Sequence, residues 1–175
     1  MKNAIKTNKL TSVLFVIYLI VLFWILLFKF GVQFSYMERR SVNLIPFNEL
    51  FIANGKLDLS EIILNMVIFV PLGIYAGVLF RRWTWANQLL FFFLTSLMFE
   101  ALQFIVRIGA FDITDIITNT SGWIIGLLIY EVIERLFNNR VRAKNFINIV
   151  ATIGTVVMVS LLILLKLRML PIRYQ

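Results

Sequence analysis

The chain has 175 residues, enough for one domain, and 61% of them are hydrophobic, with a mean hydropathy of +0.90; soluble domains are only about half apolar. The formal charge of +8 comes from Lys and Arg that flank apolar runs, so lipid headgroups are the expected partner and nucleic acid is not. Cys and His are both absent, which excludes disulfides, thiol nucleophiles and the usual metal ligands and leaves any chemistry to carboxylates, hydroxyls, Lys, Arg and Tyr.

Apolar stretches of roughly 18 residues or more read as transmembrane helices, and five are expected. The first covers about 10–28, LTSVLFVIYLIVLFWILLF, after Lys2, Lys6 and Lys9. It is longer than a signal-peptide core and ends in bulky residues, so it reads as an uncleaved signal anchor. The second covers about 61–80. Asp58 followed by Glu61 has the look of an N-cap with an acidic third position. Pro71 lies inside this span, where a membrane helix tolerates the lost hydrogen bond if a neighbour covers it. The third covers about 84–106, with Trp83 and Trp85 at its start as interfacial aromatics. The fourth covers about 113–130 and the fifth about 146–165, with a basic stretch between them holding Arg135, Arg140, Arg142 and Lys144.

The expected class is therefore an all-α polytopic transmembrane helix bundle forming a single membrane domain over 1–175. With five spans, the N-terminal tail, the Arg81–Arg82 turn and the Arg135–Lys144 stretch share one side, which collects nine of the seventeen Lys and Arg. The positive-inside rule makes that side cytoplasmic and the C-terminus extracellular, although the basic C-terminal tail opposes this. A long loop over about 30–60, containing SVNLIPFNEL, is apolar enough to pack on the membrane surface or re-enter it.

Polar residues inside the apolar runs carry the functional reading. A carboxylate in the bilayer is costly and must face the protein interior with a partner. Glu100 lies in such a place. Ser96, Glu100, Gln103 and Arg107 fall within an arc of about 60 degrees on one helix. On the fourth helix Asp112, Asp115, Asn119, Gly122 and Gly126 fall within about 80 degrees. Asn65 adds a polar group to the second helix, on the face that carries Ala76. Three polar stripes near one membrane face converge on a candidate pocket for a polar headgroup or a lipid-linked molecule. Each stripe also has a plain structural explanation. Glu100 glues helices when protonated or paired, Asp112 and Asp115 form the two halves of a capping box, and Gly122-x-x-x-Gly126 lets helices approach closely. No Walker loop, dinucleotide fingerprint or nucleophile elbow is present, and no cofactor or metal is assigned.

The segment FEALQFIVRIGAFDITDIITNTSGWIIGLLIY at 99–130 resembles the signature of the VanZ family. NLIPF at 43–47, NMVIFVPLGI at 65–74 and LLFKF at 26–30 are similar to that family's upstream pieces, in the right order. The family core would cover about 10–130, and its motif positions carry over to Asn43, Pro46, Phe47, Asn65, Pro71, Gly73, Glu100, Gln103, Asp112, Asp115, Asn119 and Gly122. The resemblance implies a small multi-pass protein of a Gram-positive cell membrane. It also implies lowered susceptibility to teicoplanin, the lipid-tailed glycopeptide, with no established catalytic activity. Implied partners are membrane lipids together with teicoplanin or a lipid-linked wall precursor. The alternative is a membrane enzyme or small transporter working on a lipid-linked envelope substrate through Glu100, Arg107, Asp112 and Asp115, with an oligomer needed for transport.

Overall fold

The computed structural model describes residues 2–28, 42–47, 59–106 and 110–166. Five helices dominate it: α1 (Lys2–Phe28), α2 (Ser60–Leu79), α3 (Trp85–Val106), α4 (Ile113–Phe137) and α5 (Arg140–Lys166). All five are long and apolar enough to cross a membrane. Two short strands, β1 (Val42–Asn43) and β2 (Phe111–Asp112), pair in parallel with Val42 opposite Phe111 and Asn43 opposite Asp112. Helical periodicity gives no hint of this pairing, because its two members lie 69 residues apart in the chain and are too short for any alternation to show.

Helix ends follow local capping chemistry. Thr84 Oγ1 accepts the backbone N–H of Asn87 at 3.2 Å at the start of α3. Asn139 Oδ1 accepts from the N–H groups of Val141 and Arg142 at 2.9 and 3.2 Å at the start of α5. Between α4 and α5, Asn138 takes the left-handed conformation at φ 43°, which Asn tolerates well at a helix C-terminus. The connection is thus two residues long, and Arg140, Arg142 and Lys144 lie on the first turns of α5 instead of in a loop. At the start of α2 the cap position is Leu59, with no side-chain cap. The expected cap at Asp58 is replaced by Leu59, and Asp58 itself lies outside the described residues. The helix runs through Pro71 without interruption.

The chain divides into two compact units, residues 20–133 and residues 1–19 with 134–175. In the second of these, Leu14, Tyr18, Ala143 and Ile147 are buried, and Thr11 Oγ1 donates to Asn148 Oδ1 at 2.8 Å across α1 and α5. In the 20–133 unit, Leu22, Phe69, Leu72, Ala76, Phe92 and Trp123 are buried. Phe92 stacks on Trp123 with centroids 4.8 Å apart.

The seam between α2 and α4 rests on the absence of side chains. A Cβ on Gly73 would run into the Trp123 carbonyl, and one on Gly126 into the Val70 carbonyl. The same holds for Gly122 against the Met66 carbonyl, and Gly77 sits against the Tyr130 ring. Neighbours rise together along both helices, so α2 and α4 run parallel. Small residues allow this approach in lipid, where van der Waals contact and not hydrophobic exclusion draws helices together.

Candidate functional site

One end of the 20–133 unit gathers the start of α2, the end of α3, the start of α4 and β1. The construction begins at Asp112. Its Oδ1 accepts the N–H of Thr114 at 2.7 Å, the ordinary N-cap bond. In a capping box the acidic third residue would return to the cap's own N–H. Here that N–H donates instead to Glu100 Oε2 on α3 at 3.2 Å. Asp115 is thereby free to turn away, and its Oδ1 accepts from Asn65 Nδ2 on α2 at 2.6 Å. The capping box is opened and its two halves are shared among three helices.

The strand joins the same cluster. Asn43 Nδ2 donates to Asp112 Oδ2 at 3.2 Å, and Asn43 Oδ1 accepts from the N–H of Ile45 at 3.2 Å. Two residues on, Phe47 is held at φ 62°, a left-handed conformation that costs a bulky residue roughly 1 kcal/mol or more and persists only where surroundings enforce it. What enforces it is a bond from the Phe47 N–H to Thr114 Oγ1 at 3.0 Å. Both carboxylates of α4's first turn and the intervening Thr are thus committed to partners from elsewhere in the chain.

Beyond this group the polar contacts thin out. Asn119 Nδ2 donates to Ser96 Oγ at 3.2 Å. Gln103 Nε2 donates to the Leu26 carbonyl at 2.7 Å, tying α3 to the end of α1. Glu100, Gln103, Ser96 and Asn119 are all at most 2% exposed, and Asp115 is 7% exposed, whereas Asn43, Asn65 and Asp112 are half-buried. The cluster therefore has a dry inner part and an outer part that polar molecules can reach.

The structure joins Asn43, Asn65, Glu100, Asp112 and Asp115 through hydrogen bonds between elements, pairs Ser96 with Asn119 separately, and ties Gln103 to α1 instead. Arg107, read from the sequence as a cation for the acids, lies outside the described residues. Pro71 is within α2, and Gly73, Gly122 and Gly126 belong to the seam, not to the cluster. Sequence reasoning passed over Thr114, Trp123 and Gly77. Thr114 is recognisable only through a partner 67 residues away, but Gly73-x-x-x-Gly77 repeats the spacing already noted on α4 and was there to be found. Among the described residues, no group of three or more acids is placed to hold a metal ion.

A family model described as VanZ/LLP1 matches residues 15–134. The chain belongs to the VanZ family. A curated relative, Protein VanZ of Enterococcus faecium, is 37% identical over 154 residues, which is 86% of this chain and 89% of the relative. No solved structure matches. The matched VanZ region starts within α1 and ends within α4, so it holds the whole polar cluster and the glycine seam and leaves out α5. As a VanZ-family protein with five spanning helices, the chain is a multi-pass membrane protein.

Proposed function

We propose that this VanZ-family protein lowers susceptibility to teicoplanin by a non-covalent effect at the outer leaflet. The family resemblance supplies the drug class. The observation that carries the reading is the position of an exposed apolar turn directly against the polar cluster: Leu44 and Ile45 are 62% and 64% exposed and follow Asn43, which is bonded to Asp112. A ligand with a polar body and an acyl tail has the same division of character. Its tail alone gives about 0.8 kcal/mol of membrane anchoring per buried CH₂, so it gathers where such a turn lies. By the positive-inside rule, the excess of Lys and Arg at the opposite helix ends supports an outward-facing cluster.

A non-covalent role fits the chemistry better than catalysis. Glu100 and Asp115 are buried and already accept hydrogen bonds within the chain, an arrangement that fixes geometry more readily than it moves protons. The test compares cells with and without the protein against teicoplanin and against teicoplanin stripped of its acyl chain. Protection is expected against the tailed drug only. Equal protection against both would refute the role of the tail, and no protection against either would refute the function.

A further inference from the structure

A second feature lies at the far end of α3, about 20 Å from Glu100 along the helix at 1.5 Å per residue. A groove of about 300 Å³ runs beside Trp83, Asn87, Leu90, Phe91 and Leu94, at the lower end of the size of ligand sites. Its lining is graded. Near the α2–α3 turn are the indole of Trp83 and the amide of Asn87, neither of which has a side-chain hydrogen bond among the described residues. Exposed Arg82 precedes them and makes no ion pair among the described residues. Further along the helix the lining is wholly apolar, with Leu90, Phe91 and Leu94 half or nearly half exposed. The Trp83 ring is fixed by stacking on Phe80 at 5.1 Å and by the edge of Phe91 at 5.4 Å, so the wall is preformed. Between Glu61 and Glu100 the chain has no carboxylate at all, so nothing on α2 past its first turn, the α2–α3 turn or α3 before Glu100 offsets Arg82.

We infer that this groove binds an anionic phospholipid, with the phosphate-bearing headgroup at Arg82, Trp83 and Asn87 and one acyl chain along Leu90, Phe91 and Leu94. A zwitterionic lipid satisfies the apolar part equally but brings its own cation to Arg82. The preference for net negative charge comes from the Arg82 guanidinium, which is exposed and makes no ion pair among the described residues even though Glu131 follows Tyr130, whose ring packs on Gly77 at this end of α2.

The experiment uses the full chain purified in detergent. Retained lipid is read by native mass spectrometry after addition of phosphatidylglycerol or of phosphatidylcholine with the same acyl chains. Wild type should retain phosphatidylglycerol several-fold better. Arg82→Gln should abolish that preference, and Leu90→Trp, a change at a 58% exposed position, should reduce retention of both lipids. Arg142→Gln, an exposed cation on α5, should change nothing. Equal retention of the two lipids by wild type would overturn the site, as would unchanged phosphatidylglycerol retention in Arg82→Gln or in Leu90→Trp. A loss in Arg142→Gln equal to that in Arg82→Gln would reduce the effect to general charge attraction and overturn it too.

Discussion

The same two helices, α2 and α4, are held in two unlike ways. Along their middle they touch through backbone, because Gly73, Gly122 and Gly126 present no Cβ to the carbonyls opposite. At one end they meet through side chains, where Asn65 bonds Asp115 at 2.6 Å. The seam demands smallness and is indifferent to chemistry. The polar end demands particular acceptors and donors and has room to spare, since Asn65 is only half-buried. Substitution by shape and substitution by charge should therefore have opposite effects in the two regions, a contrast that separates scaffold from site.

The largest effect is expected in the seam. Gly126→Val places two methyl groups against the Val70 carbonyl, and the helices must separate along their length. The cost should reach or exceed the roughly 3 kcal/mol upper end of ordinary overpacking. The folded fraction in detergent after heating or SDS titration would show it, and a stable Gly126→Val protein would remove the seam from the account. At the polar end, Asp115→Leu leaves the Asn65 amide without its acceptor, at a cost of about 1–3 kcal/mol. Asp115→Asn retains an acceptor oxygen and should unfold much closer to wild type. If both lower stability equally in the same titration, charge and not hydrogen bonding holds this end.

Smaller effects lie deeper. Ser96→Ala removes the acceptor for Asn119 Nδ2, and a single interhelical bond in a membrane is worth about 0.6 kcal/mol. Outside this unit, Thr11→Val deletes the donor to Asn148 and should cost a similar amount by the same reasoning. A double-mutant cycle with Asn148→Leu should assign that loss to the pair, and a coupling near zero would show that the bond contributes nothing to stability.

The five spans were legible because hydrocarbon thickness dictates run length, and nothing in the fold competes with that constraint. The polar stripes on α3 and α4 were legible for a related reason, since a buried carboxylate such as Glu100 has to point inward. What escaped was how the stripes connect. A helical wheel ranks residues around one helix but says nothing of β1, and so the bonds from Asn43 to Asp112 and from Phe47 to Thr114 had no signature. The capping-box reading of Asp112 and Asp115 was half complete: Asp112 caps the helix, while the return bond is supplied by Glu100 from another helix. The α4–α5 turn is shorter than the basic stretch suggests, because Arg140, Arg142 and Lys144 snorkel readily from the first turns of a membrane helix.

The central claim is that the end built on Glu100 and Asp115 is the working part of the molecule and the seam only its scaffold. The most direct test is the Glu100→Ala/Asp115→Ala double variant, which removes both acceptors, assayed for teicoplanin susceptibility in cells whose membranes carry as much variant as wild-type protein. Protection should fall to that of cells lacking the protein. Full protection by the double variant at matched membrane levels would contradict the claim and leave those carboxylates as structural glue.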